Sequence, residues 1–396
     1  MTLPLSRPDI TDLEVQEVLA VLRTPWLSIG PKVEEFEEQV AAYLGKRHVI
    51  AVSSGTAALH LAGRALGFTD GVEVITTPFT FAATTNILLF ERARPVYVDI
   101  DPVTLNLDPD TVAAFIDREY RVVSGHLVRR STGRPLAGIL PVAVFGHPIK
   151  MDQFRALADA HRLRILHDTA EAFGSEYHST VQQRWVKVGA LADAAVFAFY
   201  PNKQITTGEG GVVVTDDDEM AAYCRSARNQ GRAEGADWLR HDMLGFNYRM
   251  DELSAALGVA QMKRFQTLLA KRAQVAAWYQ ELLADIPELT LPTAQPWARV
   301  NWFVYVVRTG PGVDRDEVMR HLTQRGIACR AYFPVVHLQP YLRDAGGYTE
   351  GSYPIAEDAS RRAIALPYFN DLTRDDVGKV ADAMMEEVKA SVAVRN

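Results

Sequence analysis

The chain has 396 residues, of which 48% are hydrophobic and 23% charged, as in an ordinary soluble protein with room for two or three domains. Asp and Glu total 49 against 42 Lys and Arg, and this net charge of −7 argues against a general nucleic-acid-binding or membrane-binding surface. The two cysteines, Cys224 and Cys329, lack metal-ligand or redox spacing, and the N-terminus lacks the features of a signal peptide. We therefore expect a cytoplasmic protein without a metal site or a membrane span.

Apolar periodicity and turn residues divide the chain into alternating helices and strands. The predicted helices cover 10–22, 33–44, 57–66, a stretch behind Pro78, 109–117, 151–161, 216–227, 251–283, 314–325 and 373–388. The predicted strands cover 48–52, 73–76, 95–98, 138–145, 163–166, 194–199, 211–214, 302–308 and 327–333. This alternation is typical of an α/β protein, and the pattern after the linker-like stretch 287–296 favours a smaller α+β domain.

A small polar turn, residues 53–56 (SSGT), joins the predicted strand 48–52 to the helix that follows. Such a junction can present free backbone N–H groups and a helix dipole to a phosphate. An ordinary Ser/Thr cap on a strand-to-helix connection explains the same residues and is the commoner case. Both interpretations stay open on this evidence.

Residues 119–136 carry four arginines together with Ser124, Gly125 and Gly133, and predict an inserted hairpin. A solvated surface excursion accounts for this composition. A flap that binds a nucleotide or a partner protein is the alternative.

Asp168 follows the predicted buried strand 163–166. Ligands of parallel α/β sheets bind beyond the carboxyl ends of the strands, where this carboxylate would lie. A helix N-cap for the residues after it is the competing explanation.

Lys203 lies in a glycine-rich loop between two apolar strands, 194–199 and 211–214. Partial desolvation of such an amine lowers its pKa and yields a nucleophile able to form a Schiff base. A solvated loop lysine beside a glycine turn is the ordinary alternative.

The segment FYPNKQITTGEGG around Lys203 resembles the cofactor-lysine segment of the pyridoxal-phosphate sugar aminotransferases, the DegT/DnrJ/EryC1/StrS family. The similarity extends from TPWLSIGP (24–31) to IALPYFNDLT (364–373). The resemblance implies the fold-type-I architecture, a large domain with a mostly parallel mixed sheet flanked by helices (1–250) and a smaller α+β domain (251–396). Residues 1–25 would pack on the small domain.

The resemblance also implies roles for individual residues around pyridoxal 5'-phosphate. Lys203 would hold the cofactor as a Schiff base and act as general base and acid, and Asp168 would keep the pyridine nitrogen protonated. The phosphate would lie against SSGTAALHLA, so the cofactor-binding candidates are Gly55, Thr56, Ala57, Phe81 as a stacking ring, Asp168, Glu171, Lys203 and, across a dimer interface, Asn247 and Arg249. For Asn247 and Arg249 the alternative is that they are an ordinary loop Asn and a surface Arg that caps the next helix.

Two positions depart from the family pattern. Ala198 stands where a phosphate-binding Ser is common, and Glu171 stands where Gln or His is frequent. On the substrate side, Trp26 is a candidate because TPWLSIGP resembles the GWLTTGP of enzymes that aminate sugar C4, and Tyr332 and His337 are two more.

The implied activity is transfer of an amino group from glutamate to a nucleotide-linked keto-sugar, a 4-keto-sugar, for amino-sugar or polysaccharide biosynthesis, by a homodimer with shared active sites. A sugar dehydratase with the same cofactor is one alternative, but those relatives replace the lysine with histidine. A cofactor-binding regulator without turnover is another, and the absence of a helix-turn-helix pattern and the negative charge count against it.

Overall fold

The computed structural model describes residues 2–232 and 239–393. The helices are α1 (Asp12–Leu22), α2 (Pro31–Leu44), α3 (Gly55–Ala65), α4 (Ala82–Phe90), α5 (Pro109–Glu119), α6 (Met151–His161), α7 (Asp218–Arg228), α8 (Glu252–Lys263), α9 (Phe265–Leu283), α10 (Arg315–Gln324), α11 (Pro340–Gly346), α12 (Pro354–Arg362) and α13 (Arg374–Ala393). The strands are β1 (His48–Val52), β2 (Glu73–Thr76), β3 (Arg94–Tyr97), β4 (Tyr120–Val123), β5 (His126–Arg129), β6 (Leu136–Ile139), β7 (Arg164–Asp168), β8 (Glu176–Ser179), β9 (Arg184–Lys187), β10 (Ala194–Ala198), β11 (Gly211–Thr215), β12 (Leu289–Thr290), β13 (Ala298–Arg299), β14 (Tyr305–Thr309) and β15 (Ala363–Leu366).

The central sheet has, within the described residues, seven strands in the order β1-β11-β10-β7-β6-β2-β3. Strand β11 runs antiparallel to both of its neighbours, β1 and β10, and every other pairing in the sheet is parallel. This arrangement confirms the predicted α/β class and the mostly parallel mixed sheet. The carboxyl ends of the six parallel strands meet along one edge, where such sheets bind ligands.

Apolar residues on both faces of β10 and β11 explain why these strands lie in the interior of the sheet and not at an edge. Val196 and Val213 pack under α3 and α7 on one face, whereas Ala195 and Val212 pack under α2 and α8 on the other. Successive side chains of a strand point to opposite faces, so a strand covered by helices on both sides has to be apolar throughout.

A second, three-stranded antiparallel sheet has the order β12-β14-β15 and carries α9, α10 and α13. Phe265 and Leu268, at the start of α9, belong to the core of the central sheet, whereas Val275 and Tyr279 belong to the core of the small sheet. The chain therefore passes from one core to the other within α9, and the domain division at residues 250 and 251 stays a prediction.

Three predicted elements were wrong in detail. The single helix over 251–283 is two helices, α8 and α9, which meet at Arg264, where the guanidinium reaches back to Asp9 and Glu14. Residues 327–333 make only isolated bridges, and the third strand of the small sheet is β15 instead. The strand predicted over 138–145 instead covers Leu136–Ile139, and residues 144–146 form a 3-10 turn.

The predicted hairpin at 119–136 is present as β4 and β5. Arg129 at its base lies 3.6 Å from the buried carboxylate of Glu73 and contacts the rings of Phe115 and Tyr120. The tip is solvated, since Val122 is 67% exposed. The base of the hairpin is thus tied to the central sheet, and a role for its tip stays a prediction.

Candidate active site

A cavity of about 400 Å³ opens at the carboxyl edge of the central sheet. Residues that follow β1, β2, β7 and β10 line it, and Phe303, Tyr332 and Phe333 close it from the side of the small sheet. The described helices include none that is both long and apolar enough to cross a membrane. No group of His, Cys, Asp or Glu in the described part of the chain could hold a metal ion.

Lys203 lies inside this cavity on the turn that follows β10, where its backbone N–H donates to the carbonyl of Tyr200 at 2.9 Å. Its Nζ lies 3.8 Å from the centre of the Phe303 ring and 3.5 Å from Oε1 of Glu171. Burial lowers the pKa of Lys203, and the charges of Glu171 and Asp168 oppose that shift. A lowered pKa puts more of the amine in its neutral, nucleophilic form.

Asp168 is the last residue of β7, and its carboxylate lines the same cavity. Thr84 Oγ1 donates to Oδ2 at 2.8 Å, and the N–H of Ala170 donates to Oδ1 at 3.1 Å. Burial raises the pKa of Asp168, whereas these donors and the charge of Lys203 lower it. No helix begins after Asp168, so the helix-cap explanation does not hold.

Glu171 is buried three residues further on, with its side chain turned toward Lys203. The backbone N–H of Phe145 donates to Oε2 at 2.9 Å. Burial raises the pKa of Glu171, and the nearby ammonium group of Lys203 opposes that shift. The site thus holds two buried carboxylates and one largely buried amine, since 12% of the Lys203 side chain is exposed.

The N-terminus of α3 forms another wall. Gly55 and Thr56 line the cavity, as does Ser54, the N-cap residue, whose Oγ accepts the N–H of Ala57 at 3.1 Å. A Cβ on Gly55 would lie 2.6 Å from Cβ of Ala198, so only glycine lets the helix begin this close to β10. Ala57 lies behind the wall, and its amide is already bonded.

Two aromatic residues expected at the site line the cavity. Phe81 is the N-cap residue of α4 and is 64% exposed, so it is not the core residue that its apolar character favours. Tyr332 lies on the opposite wall, and burial raises its pKa to about 12.

The other predicted site residues lie outside the cavity of this chain. His337 is fully buried, with Nε2 3.1 Å from Oε1 of Glu357. Trp26 is 56% exposed on the loop before α2. Asn247 is exposed, and Arg249 donates to Oδ1 of Asn229 at 3.0 Å.

The structure also adds cavity residues that the sequence did not single out. Thr84 orients Asp168, and Phe303 faces the amine of Lys203. Thr84 could have been found from its place two residues after the start of α4, on the same side as Thr80, with which it shares a hydrogen bond of 2.8 Å. Phe303 lies 100 residues from Lys203 and has no local signal.

Comparison with known proteins agrees with this geometry. The DegT/DnrJ/EryC1/StrS aminotransferase family profile matches residues 8–385. The spore coat polysaccharide biosynthesis protein SpsC of Bacillus subtilis is 35% identical over 98% of both chains, and the GDP-perosamine synthase of Caulobacter vibrioides is 36% identical over 96% of both. The solved structure of S. venezuelae DesV has a TM-score of 0.85 at 33% identity and covers 97% of this chain and 98% of its own. The chain therefore belongs to the DegT/DnrJ/EryC1/StrS family of pyridoxal phosphate-dependent sugar aminotransferases.

Proposed function

We propose that this aminotransferase moves an amino group from glutamate to a nucleotide-linked 4-keto-sugar. The observation that carries the proposal is the buried Lys203 amine, which shares one cavity with Asp168 at the carboxyl edge of the sheet. A nucleotide-linked substrate is supported by the 36% identity to a GDP-perosamine synthase, and the 4-keto position by the resemblance of TPWLSIGP to C4-aminating enzymes.

The residues present fit pyridoxal 5'-phosphate. The start of α3, with Gly55 and Thr56 on the cavity wall, offers backbone N–H groups and a helix dipole to a phosphate. Asp168 offers an oriented anion for a protonated ring nitrogen, and the exposed ring of Phe81 offers a stacking surface. These three features surround Lys203, the residue that would bind the cofactor covalently.

When bound, the cofactor supplies an electron sink that makes a proton on the donor carbon acidic. Lys203 would hold the cofactor through Nζ, and its free amine would accept the proton of the substrate carbon and return it. The carboxylate of Asp168 would keep the ring nitrogen of the cofactor protonated. The walls formed by Phe303, Tyr332 and Phe333 exclude water from the reacting atoms.

The charges around the cavity support our proposal of a homodimer with shared sites. Among the described residues that line the cavity, Lys203 is the only Lys or Arg, yet the cofactor phosphate and the glutamate carboxylates bring several negative charges. Arg249 of the partner subunit, together with Asn247 of the partner subunit, would supply the missing donors.

The loop before α2 offers a surface for the contact between the two copies. In this loop Trp26 is 56% exposed, Leu27 50% and Ile29 59%, and such an apolar surface is suited to contact with a second copy.

On the substrate side, Tyr332 already lines the cavity, and we keep Trp26 and His337 as candidates. Trp26 would act through the dimer contact. His337 would act only indirectly, because it is enclosed against Glu357. We place this activity in the cytoplasm.

The test is a screen of nucleotide-linked keto-sugars with glutamate, with mass spectrometry of the products. The expected result is an amino-sugar that carries the glutamate nitrogen when the donor is labelled with ¹⁵N. Lys203→Ala is the control and should give no product. Bound cofactor without turnover of any sugar would instead support a regulator, and loss of a hydroxyl without gain of nitrogen would support a dehydratase.

A further inference from the structure

Glu171 places a second carboxylate beside the reactive amine. It is 7% exposed, and its Oε1 is 3.5 Å from Nζ of Lys203. The charge partner of Lys203 in this structure is therefore Glu171 as well as Asp168. A neutral polar residue at position 171 could fill the space but could not carry a charge.

The surrounding backbone fixes the direction in which Glu171 points. Phe145 has a φ of +55°, a left-handed conformation that is costly for a residue with a side chain, and its N–H donates to Oε2. The side chain of Gln204, next to Lys203 in the chain, donates to the carbonyl of Glu171 at 2.5 Å. Oε2 is thus committed to the backbone, and Oε1 remains directed at the amine.

Burial brings the pKa values of Glu171 and Lys203 closer together. Burial raises the pKa of Glu171 and lowers the pKa of Lys203, so desolvation moves both toward the middle of the scale. Asp168, from β7, raises the pKa of Glu171 further, and Tyr332, from the small-sheet side, faces the same carboxylate. When two groups have similar proton affinities, transfer of a proton from one to the other costs little free energy.

We propose that Glu171 is a second catalytic acid–base group, which exchanges a proton with Nζ of Lys203 during turnover. In the forward transfer the Nζ–H bond breaks and an Oε1–H bond forms, so that ammonium and carboxylate become neutral amine and carboxylic acid. The neutral amine can then accept a proton from the substrate carbon and would pass it on to the cofactor carbon. Once Nζ is neutral again, the reverse transfer from Oε1 restores the ammonium and the carboxylate. No electrons are exchanged with any other group. The inference rests on the proposed function, since it assigns a role within the same site.

The direct test is a spectrophotometric pH titration of the purified protein with its cofactor bound. The absorbance of the cofactor changes when the nitrogen that it shares with Lys203 gains a proton. A carboxylate beside that nitrogen stabilises the protonated form, so Glu171→Gln should lower the titration midpoint by about one pH unit or more, a tenfold or greater change in proton affinity. Glu171→Asp keeps the charge and should leave the midpoint closer to that of the wild type.

Glu209→Gln is the matched control, because Glu209 also lines the cavity but is exposed to solvent at its mouth. It should move the midpoint by less than about 0.3 pH units, since water screens its charge. The loss of deuterium from the α-carbon of labelled glutamate should slow about tenfold or more in Glu171→Gln and far less in Glu171→Asp.

Two results would overturn the inference: an unchanged midpoint in Glu171→Gln, or equal loss of exchange in the Gln and Asp variants, which would indicate a merely structural residue. A wild-type protein that binds no cofactor would instead count against the proposed function.

Discussion

The inner and outer parts of the candidate site differ in whether their side chains find contact partners within this chain. The inner part, with Lys203, Asp168 and Glu171, is buried, and each of these side chains has its partners within the chain. The outer part, with Trp26 and Asn247, is exposed on the surface and contacts nothing in the cavity. A shifted pKa requires burial, which one chain can supply. In the proposed homodimer, a second copy would complete the surface that binds the substrate.

Lys203→Ala tests the inner part and has the largest expected effect. Transamination should fall by about three orders of magnitude or more, because the covalent anchor and the general base are both lost. The fold should persist, since the change leaves no large cavity in either core. Activity and far-ultraviolet circular dichroism measured on the same preparations check both statements, and Lys187→Ala serves as a lysine control outside the cavity.

Mixed dimers test whether the outer part belongs to the partner's site. Lys203→Ala and the double variant Asn247→Ala/Arg249→Ala should each be inactive alone. After subunit exchange, half of the dimers should be mixed, each with one intact site of two, which gives roughly a quarter of wild-type activity. Exchange confirmed by native mass spectrometry without recovered activity would contradict a shared site.

Glu252, at the start of α8, holds the loop before α2 in place. Its substitution is expected to have a smaller effect, on stability. Its carboxylate accepts the backbone N–H groups of Gly30, Lys32 and Val33 at 2.8–3.0 Å, and its own N–H donates to the carbonyl of Leu27. Glu252→Ala should lower the free energy of unfolding by about 2–3 kcal/mol, because a charged cap of α2 is lost.

The control is Glu34→Ala, which removes an exposed carboxylate from the first turn of the same helix. It should change the free energy of unfolding by less than about 0.5 kcal/mol. Equal effects in the two variants, measured by urea unfolding, would mean that the cap does not hold the loop.

Ala198→Ser refines the account of the inner wall and has the smallest expected effect. The side chain of Ala198 faces Gly55 at the start of α3, so a hydroxyl there would meet the cofactor phosphate. One added hydrogen bond to a charged group should tighten cofactor binding by about 1.5 kcal/mol, or roughly tenfold. Cofactor dissociation measured for both proteins checks this prediction, and unchanged binding would show that the phosphate does not lie within reach of position 198.

Features fixed by local sequence could be predicted, whereas features fixed by distant contacts could not. The bounds of β1, β2 and α6 were predicted to the residue because continuous apolar runs or clear helical periodicity end there at turn residues. Lys203 and Asp168 could be placed at the cavity because the sequence has them just beyond apolar runs that predict buried strands. The hairpin of β8 and β9 was missed because each strand has only four residues and the connection between them, TVQQ, lacks the Gly, Asn or Asp that marks a hairpin turn.

Other features depended on contacts between distant parts of the chain. Buried His337 contacts Glu357, which lies 20 residues further along the chain, and the bonding of the Ala57 amide depends on the conformation of Ser54. The stretch 327–333 has strand-like composition, but Leu3 and Ala365 pair with it only at single residues. Local pattern cannot give such pairings, because they are decided by packing between elements far apart in sequence.

The central claim is that Lys203 alone binds the cofactor covalently. Borohydride reduction of the wild-type protein fixes the cofactor to its lysine, and peptide mapping by mass spectrometry then identifies that residue. The account predicts the label on the peptide that contains Lys203, the buried amine of the cavity, and on no other. A label on Lys187, on Lys263 or on any other lysine would contradict the assignment and the mechanism built on it.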